Sequence, residues 1–167
     1  MSTLLAMAEK LEQTGIGTAI AEGRYAFPVI EGIHLIGLSM AVGLILLIDL
    51  RLLGAFLPDV SVKALHRQLQ PYVFAGFAIV ILAGVLLFVC EASVVIVSPP
   101  WPFKMFFLVL GGANALYFEF ITSRRPEALP DHGPLPGNVR YAGFAAFALW
   151  VLVIVCGRLI PYIPHWA

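Results

Sequence analysis

The chain has 167 residues, of which 60% are hydrophobic and only 12% are charged. Since soluble domains carry about 25% charged residues, this composition excludes a soluble globular domain, a disordered chain and a secreted disulfide scaffold. Ten Lys and Arg balance ten Asp and Glu, so no basic surplus exists to bind nucleic acid. We therefore expect one integral membrane protein whose main partner is the lipid bilayer.

The N-terminal segment, residues 1–24, lacks the basic start and continuous apolar run of a signal peptide. Its apolar residues recur at helical spacing among charged ones, until Gly15 and Gly17 interrupt the pattern. This pattern predicts a short amphipathic helix lying in the bilayer interface. The alternative is a frayed polar tail.

Residues 25–167 contain four apolar runs with the length of membrane spans. The spans are predicted at about 27–50, 72–90, 103–121 and 141–160. Because lipid offers no hydrogen bonds to the backbone, each run is predicted to be a helix, which gives an all-α, four-helix membrane bundle. Pro28 lies in the first turn of the first span, and every other proline lies between or after the spans. No span is therefore expected to be kinked by proline.

Basic residues near the span ends predict the orientation in the membrane. Six of them follow the first and third spans, namely Arg51, Lys63, Arg67, Arg124, Arg125 and Arg140. Fewer basic residues lie near the opposite ends of the spans. We expect the two basic loops in the cytoplasm and both termini in the periplasm of a bacterial inner membrane.

The second and fourth spans share the sequence Ala-Gly-Phe-Ala, at residues 75–78 and 142–145. The first and third spans each end in an acid that is followed by an arginine, Asp49 before Arg51 and Glu119 before Arg124. These similarities predict a tandem repeat of two helix hairpins. The alternative is chance, because small and aromatic residues are common in membrane helices.

His34 is the only histidine within a predicted span. Glu31 lies three residues before it and therefore shares its helix face. Because ionisable groups in lipid usually face a partner or a cavity, His34 is predicted to ligate haem or a metal, or to carry a proton. The alternative is a neutral histidine that is hydrogen-bonded to Glu31 or to a neighbouring helix.

Each cofactor would need further ligands. Haem b bound by His34 could take Met105, His165 or a second copy of His34 as its other axial ligand. Copper would use the sulfur atoms of Met105, Cys90 and Cys156 together with His34. The two cysteines could instead form a disulfide or simply fill apolar space.

Charged and aromatic residues near the same span ends could line a pocket for a quinone or a lipid headgroup. Lys104 and Arg158 are the basic members, and they could also form ion pairs or snorkel to the interface, as could the acidic Glu91. The predicted cofactor-binding set is therefore His34, Glu31, Met105, Lys104 and Arg158. The predicted structural polar set is Asp49, Arg51, Asn114 and Glu119, with Asn114 hydrogen-bonded to Ser39 near the middle of the membrane.

Several motifs occur in order along the spans. They are Glu31-x-x-His34-x-x-Gly37, Asp49-Leu50-Arg51-Leu52-Leu53-Gly54, Phe103-Lys104 with Asn114-Ala115, and Gly157-Arg158-Leu159-Ile160. From about Phe27 to Tyr162 the chain resembles an uncharacterised family of small bacterial inner-membrane proteins with four helices. More distantly it resembles the membrane domains of copper-resistance D proteins and b-type cytochromes. The resemblance implies the fold and the membrane location, and it implies no reaction.

No nucleophile elbow, phosphate loop or zinc signature occurs in the sequence. The patterns favour a non-enzymatic protein that packs against other membrane subunits or a second copy of itself, as a structural or anchoring part of an electron-transfer or other bioenergetic complex. One alternative is a haem- or quinone-binding redox protein centred on His34. Another is transport of copper or a small solute.

Overall fold

The computed structural model describes residues 2–122 and 135–163, which form seven α-helices and no strand. The helices are α1 (Ser2–Glu12), α2 (Gly15–Glu22), α3 (Ala26–Leu53), α4 (Val62–Cys90), α5 (Ala92–Ile96), α6 (Pro100–Tyr117) and α7 (Gly137–Leu159). A π-helical turn, Phe118–Thr122, continues α6. The all-α prediction is thus confirmed for this part of the chain.

Helices α3, α4 and α7, and α6 with its π turn, are each long and apolar enough to cross a membrane. They coincide with the four predicted spans and are consistent with a multi-pass membrane protein. Arg124 and Arg125, which the orientation prediction used, and His165, which the haem prediction used, lie outside the described residues. The orientation and the location of the termini stay predictions.

Helix α4 begins at Val62, ten residues before the predicted start of its span, and Pro71 therefore lies inside it. The prediction of proline-free spans is wrong at this position. The extra turns are polar, and Ser61 caps them by accepting a hydrogen bond from the Ala64 N–H at 3.4 Å. A search for continuous hydrophobicity misses such turns. His66 is consequently part of α4 and not of a loop.

Helix α3 is the centre of the bundle, since it packs against both α4 and α7, while α6 packs against α7. Two glycines permit the close contacts with α3. A Cβ atom at Gly76 of α4 would lie 2.5 Å from the Ala41 backbone nitrogen, and one at Gly143 of α7 would lie 2.8 Å from the Leu52 Cβ. Helices α4 and α6 are not a closely packed pair, which leaves the bundle open on that side.

These contacts bear on the predicted hairpin repeat. A strict duplication would place Gly143 against α6, as Gly76 lies against α3, but Gly143 contacts Leu52 of α3. It would also pair α4 with α6 in the way that α3 pairs with α7, and the described helices lack that close pairing. The hairpin repeat stays a prediction.

The N-terminal segment forms two helices where the sequence predicted one. Helix α1 packs against α5 and α4, and α2 packs against α4 and α3. Glu12 accepts hydrogen bonds from the backbone N–H and the hydroxyl of Ser93, both at 2.7 Å, which fixes α1 to the start of α5. Thr14 caps α2. We call this end of the bundle the α5 end, and the end with the α3–α4 connection, residues 54–61, the loop end.

Candidate functional site

A cavity of about 850 Å³ lies between α4 and α6, and α3 and α7 form its remaining walls. It exists because α4 and α6 do not pack closely. On α6 the lining residues extend from Trp101 to Leu116, about 22 Å at a rise of ~1.5 Å per residue. Its volume is within the range of ligand pockets, and its shape is long and narrow along the helices.

Side chains bridge α4 and the α6 segment at both ends of the cavity. At the α5 end, Phe88 and Trp101 stack with ring centroids 5.3 Å apart. At the loop end, His66 Nε2 lies 3.2 Å from Glu119 Oε2, and Gln70 donates a hydrogen bond to the same carboxylate. Glu119 lies on the π turn, a type of distortion that is frequent at functional sites. Side-chain contacts therefore join α4 to the α6 segment at the two ends of the cavity.

His34 lines the cavity near its α5 end. Its Nδ1 lies 3.0 Å from the Val80 carbonyl oxygen of α4. Because a carbonyl only accepts, Nδ1 carries the proton and Nε2 is the acceptor that remains for a ligand. Gly84 makes room for the ring, since a Cβ there would lie 3.0 Å from His34 Cε1. This geometry matches the predicted alternative of a neutral histidine hydrogen-bonded to a neighbouring helix, and the ligand role of His34 stays a prediction.

Lys104 lies at the same end of the cavity and is half-buried. Its Nζ lies over the Trp101 ring, 5.8 Å from the centroid. Its aliphatic stem packs against Gly157, where a Cβ would lie 3.4 Å from the Lys104 Cε. Among the residues described, no carboxylate forms a salt bridge with this ammonium group. Its hydrogen-bond donors are thus directed to a ligand or to water.

Glu91, which follows α4, also lines the cavity. Burial, followed by the negative charges of Glu31 and Glu12, raises the pKa of the Glu91 carboxyl above its ordinary value. The carboxyl therefore holds its proton to a higher pH than a free glutamate does.

The structure brings together only part of the predicted cofactor-binding set. His34, Lys104 and Met105 line the cavity, whereas Glu31 and Arg158 do not. Arg158 is exposed and donates to the Tyr162 hydroxyl at 2.7 Å. The exposed Glu31 acts on the site only through its charge.

The predicted metal set of His34, Cys90 and Cys156 does not come together. Neither cysteine lines the cavity that holds His34, and both thiols are free. Cys90 donates to the Leu87 carbonyl of its own helix at 3.2 Å. No group of three or more His, Cys, Asp or Glu residues with metal-binding geometry occurs in residues 2–122 and 135–163.

The predicted structural polar residues differ in their surroundings. Arg51 donates from Nε to the Val60 carbonyl at 2.6 Å. Asn114 lines the cavity, whereas Ser39 is exposed on another face of α3, so the predicted hydrogen bond between them is not formed. Asp49 is only 4% exposed, lines the cavity, and leaves its Oδ2 without a hydrogen-bond partner.

Trp150 is the cavity residue that the sequence analysis missed. It is 2% exposed, packs against Phe77 with centroids 5.4 Å apart, and lies over Gly111. Its indole Nε1 has no hydrogen-bond partner and offers a donor to a ligand. Its position in the middle of an apolar run was the available signal, because membrane tryptophans prefer the interface.

A family model described as a family of unknown function (DUF6644) matches residues 9–163. This agrees with the resemblance to an uncharacterised family. No curated protein and no solved structure matches the chain. The more distant resemblance to copper-resistance D proteins and b-type cytochromes is therefore without support.

Proposed function

The chain belongs to DUF6644, a family of unknown function, and from the site itself we propose that it binds a lipophilic quinone in the cavity between α4 and α6. The observation that carries the proposal is the pairing of two complementary polar groups at one end of an apolar cavity. Those groups are the accepting Nε2 of His34 and the ammonium of Lys104, which has no salt bridge within residues 2–122 and 135–163.

The two groups suit both redox forms of a quinone head. A quinone carbonyl accepts hydrogen bonds, which Lys104 Nζ can donate. A quinol hydroxyl also donates, and the Nε2 of His34 can accept from it because Nδ1 already holds the ring proton for the Val80 carbonyl. Head-group recognition thus needs no charge on the ligand.

The rest of the cavity suits an isoprenoid tail. From His34 toward the loop end its walls are formed largely by aliphatic and aromatic residues, including Leu38, Phe77 and Leu108. Since α4 and α6 do not pack closely between their bridged ends, a tail can enter sideways from the surrounding lipid. The apolar side chains then replace lipid around it at little cost.

A quinone site is compatible with the predicted non-enzymatic role as an anchoring subunit of an electron-transfer complex, because membrane complexes exchange electrons through quinones dissolved in the bilayer. In this proposal the chain holds the quinone, and partner membrane subunits carry out the oxidation and reduction. The anchoring role remains a proposal alongside quinone binding.

Haem is the second candidate, and one observation favours it. A histidine that donates Nδ1–H to a carbonyl is oriented as metal-ligating histidines are, and Met105 lines the same cavity. Protein purified from haem-replete cells would then show a Soret band that is lost in His34→Ala. A colourless preparation contradicts haem binding.

Binding of a short-chain quinone to the purified protein in lipid nanodiscs tests the main proposal. The readout is quenching of tryptophan fluorescence, since Trp101 and Trp150 line the cavity. We expect Lys104→Met and His34→Leu each to weaken binding at least about tenfold, which corresponds to ~1.4 kcal/mol.

Arg158→Met is the matched control, because Arg158 is a basic residue at the same end that does not line the cavity. Its quinone affinity should stay within about twofold of the wild-type value. The proposal is wrong if the wild-type protein binds no quinone, or if both cavity variants bind as tightly as the wild type.

A further inference from the structure

We propose that the loop-end half of the cavity binds a lipophilic organic cation, with Asp49 as its counter-ion. This site is separate from the proposed quinone head site. His34 and Asp49 are fifteen residues apart on α3, so they lie about 22 Å apart along the helix. The inference does not depend on quinone binding.

The first observation is that Asp49 is buried and that one of its carboxylate oxygens has no hydrogen-bond partner among the described residues. Its side chain lines the cavity, is 96% removed from solvent, and has a free Oδ2. The two arginines near this end of α3 do not neutralise it. Arg51 donates to the Val60 carbonyl, and Arg140 donates to the Leu53 carbonyl. A buried carboxylate within a membrane span is costly unless a cation or a hydrogen-bond donor pairs with it.

The second observation is the aromatic lining around the same half of the cavity. Phe118 and Phe74 line this half, and Phe77 and Trp150 line the middle of the cavity next to it. The faces of aromatic rings attract cations, most strongly where water is excluded. An apolar cavity that combines a buried carboxylate with aromatic rings along its length is therefore suitable for a cation that itself carries apolar groups.

The neighbouring groups favour an organic cation over a metal ion. Glu119 is the other acid that lines the cavity at this end, and it is already engaged by His66 and Gln70. Hard metal ions need six or more oxygen ligands, and the described part of the chain has no metal-binding group of three acidic, His or Cys residues. One carboxylate can balance the charge of a quaternary or protonated amine, whose remaining contacts are apolar.

Binding of tetraphenylphosphonium to the protein in nanodiscs of zwitterionic lipid tests this inference. We expect the wild-type protein to bind it, and Asp49→Asn to bind it at least about tenfold more weakly. The neutral analogue triphenylphosphine oxide should bind both proteins equally, since it has no charge to be balanced. Asp59→Asn is the control, because Asp59 is an exposed acid of the adjoining loop.

The inference is overturned if the wild type does not bind tetraphenylphosphonium, or if Asp49→Asn binds it as tightly as the wild type does. Thermal unfolding of each variant shows whether it is folded, and Asn keeps the shape of Asp. Should Asp49→Asn fail to fold, Gly112→Phe decides the question, because Gly112 lines the cavity with open space where its Cβ would be. Loss of cation binding in Gly112→Phe supports the site, and unchanged binding contradicts it.

The two proposed sites can fail separately. His34→Leu and Lys104→Met act at the α5 end, so they should leave tetraphenylphosphonium affinity within about twofold of the wild-type value. Asp49→Asn should likewise leave the quinone head site intact. A loss of cation binding in the His34 and Lys104 variants would contradict a separate cation site.

Discussion

At the scale of single residues, the identity of His34 was predictable and its geometry was not. A lone histidine in an apolar run indicates a polar partner, because lipid provides none. That the partner is the Val80 carbonyl depends on how α4 is positioned against α3, which close contacts such as that of Gly76 with Ala41 determine. These contacts leave no periodic signal in one sequence. Asp49 was recognised as polar, but its lack of a partner appears only in the folded chain.

Gly84 provides a prediction about His34. In Gly84→Ala the new Cβ would lie 3.0 Å from His34 Cε1 and 3.3 Å from Nδ1, which displaces the ring from Val80. Loss of about 1 kcal/mol of hydrogen bonding should weaken quinone binding roughly fivefold in the fluorescence assay. Gly43→Ala, where the Cβ meets open space, should bind as the wild type does. Equal affinities in all three proteins would contradict the role of the Val80 bond.

Glu91 provides a prediction about pH. Its pKa is raised in the folded protein by burial and by the charges of Glu31 and Glu12. The folded state therefore binds more protons than the unfolded state above the ordinary glutamate pKa, so this group's contribution to stability is lost as pH rises toward neutrality.

Thermal unfolding of the wild type and Glu91→Gln from pH 4 to pH 8 measures this contribution. We expect Glu91→Gln to gain stability relative to the wild type as the pH rises, by a small amount because the side chain is only partly buried and water screens its charge. Glu22→Gln, at an exposed position of α2, serves as the control. A difference between Glu91→Gln and wild type that does not change with pH would contradict the argument.

At the scale of the elements, the four spans were predictable because lipid demands long apolar helices. The ends of these spans were harder to predict. The first turns of α4 are polar and carry Pro71, and α6 runs into a π turn at Phe118. Hydropathy does not report either feature. The small helix α5 follows α4 directly and is fixed by Glu12 of α1, a contact between distant parts of the chain.

The end of α3 provides a prediction about stability. Gly54 caps this helix with a φ of +76°, and its N–H bonds to the Arg51 and Leu50 carbonyls. In Gly54→Ala the left-handed conformation should cost about 1 kcal/mol. Gly32 lies within α3 and has open space where a Cβ would be. Gly32→Ala should therefore raise the free energy of unfolding by ~0.5–1 kcal/mol, because alanine has the higher helix propensity. Unfolding by denaturant in one detergent compares the two, and a stabilised Gly54→Ala would contradict the capping role.

At the scale of the whole molecule, the open side of the bundle was not predictable. Each span is apolar on nearly all faces, so hydropathy does not distinguish a face that packs on a helix from one that faces lipid or a cavity. The repeated Ala-Gly-Phe-Ala sequence suggested two equivalent hairpins. In the fold both glycines contact α3, while α4 and α6 stay apart. The cavity results from this asymmetry.

The cavity is the centre of the account, and native mass spectrometry of the protein released from nanodiscs of its host membrane tests it most directly. Gly112→Phe should obstruct the middle of the cavity, and Gly32→Phe, which does not line it, is the control. We predict one molecule with the mass of a prenylated quinone bound to the wild type and to Gly32→Phe, and none bound to Gly112→Phe. Equal occupancy in all three proteins, or phospholipid as the only bound molecule, would contradict the account.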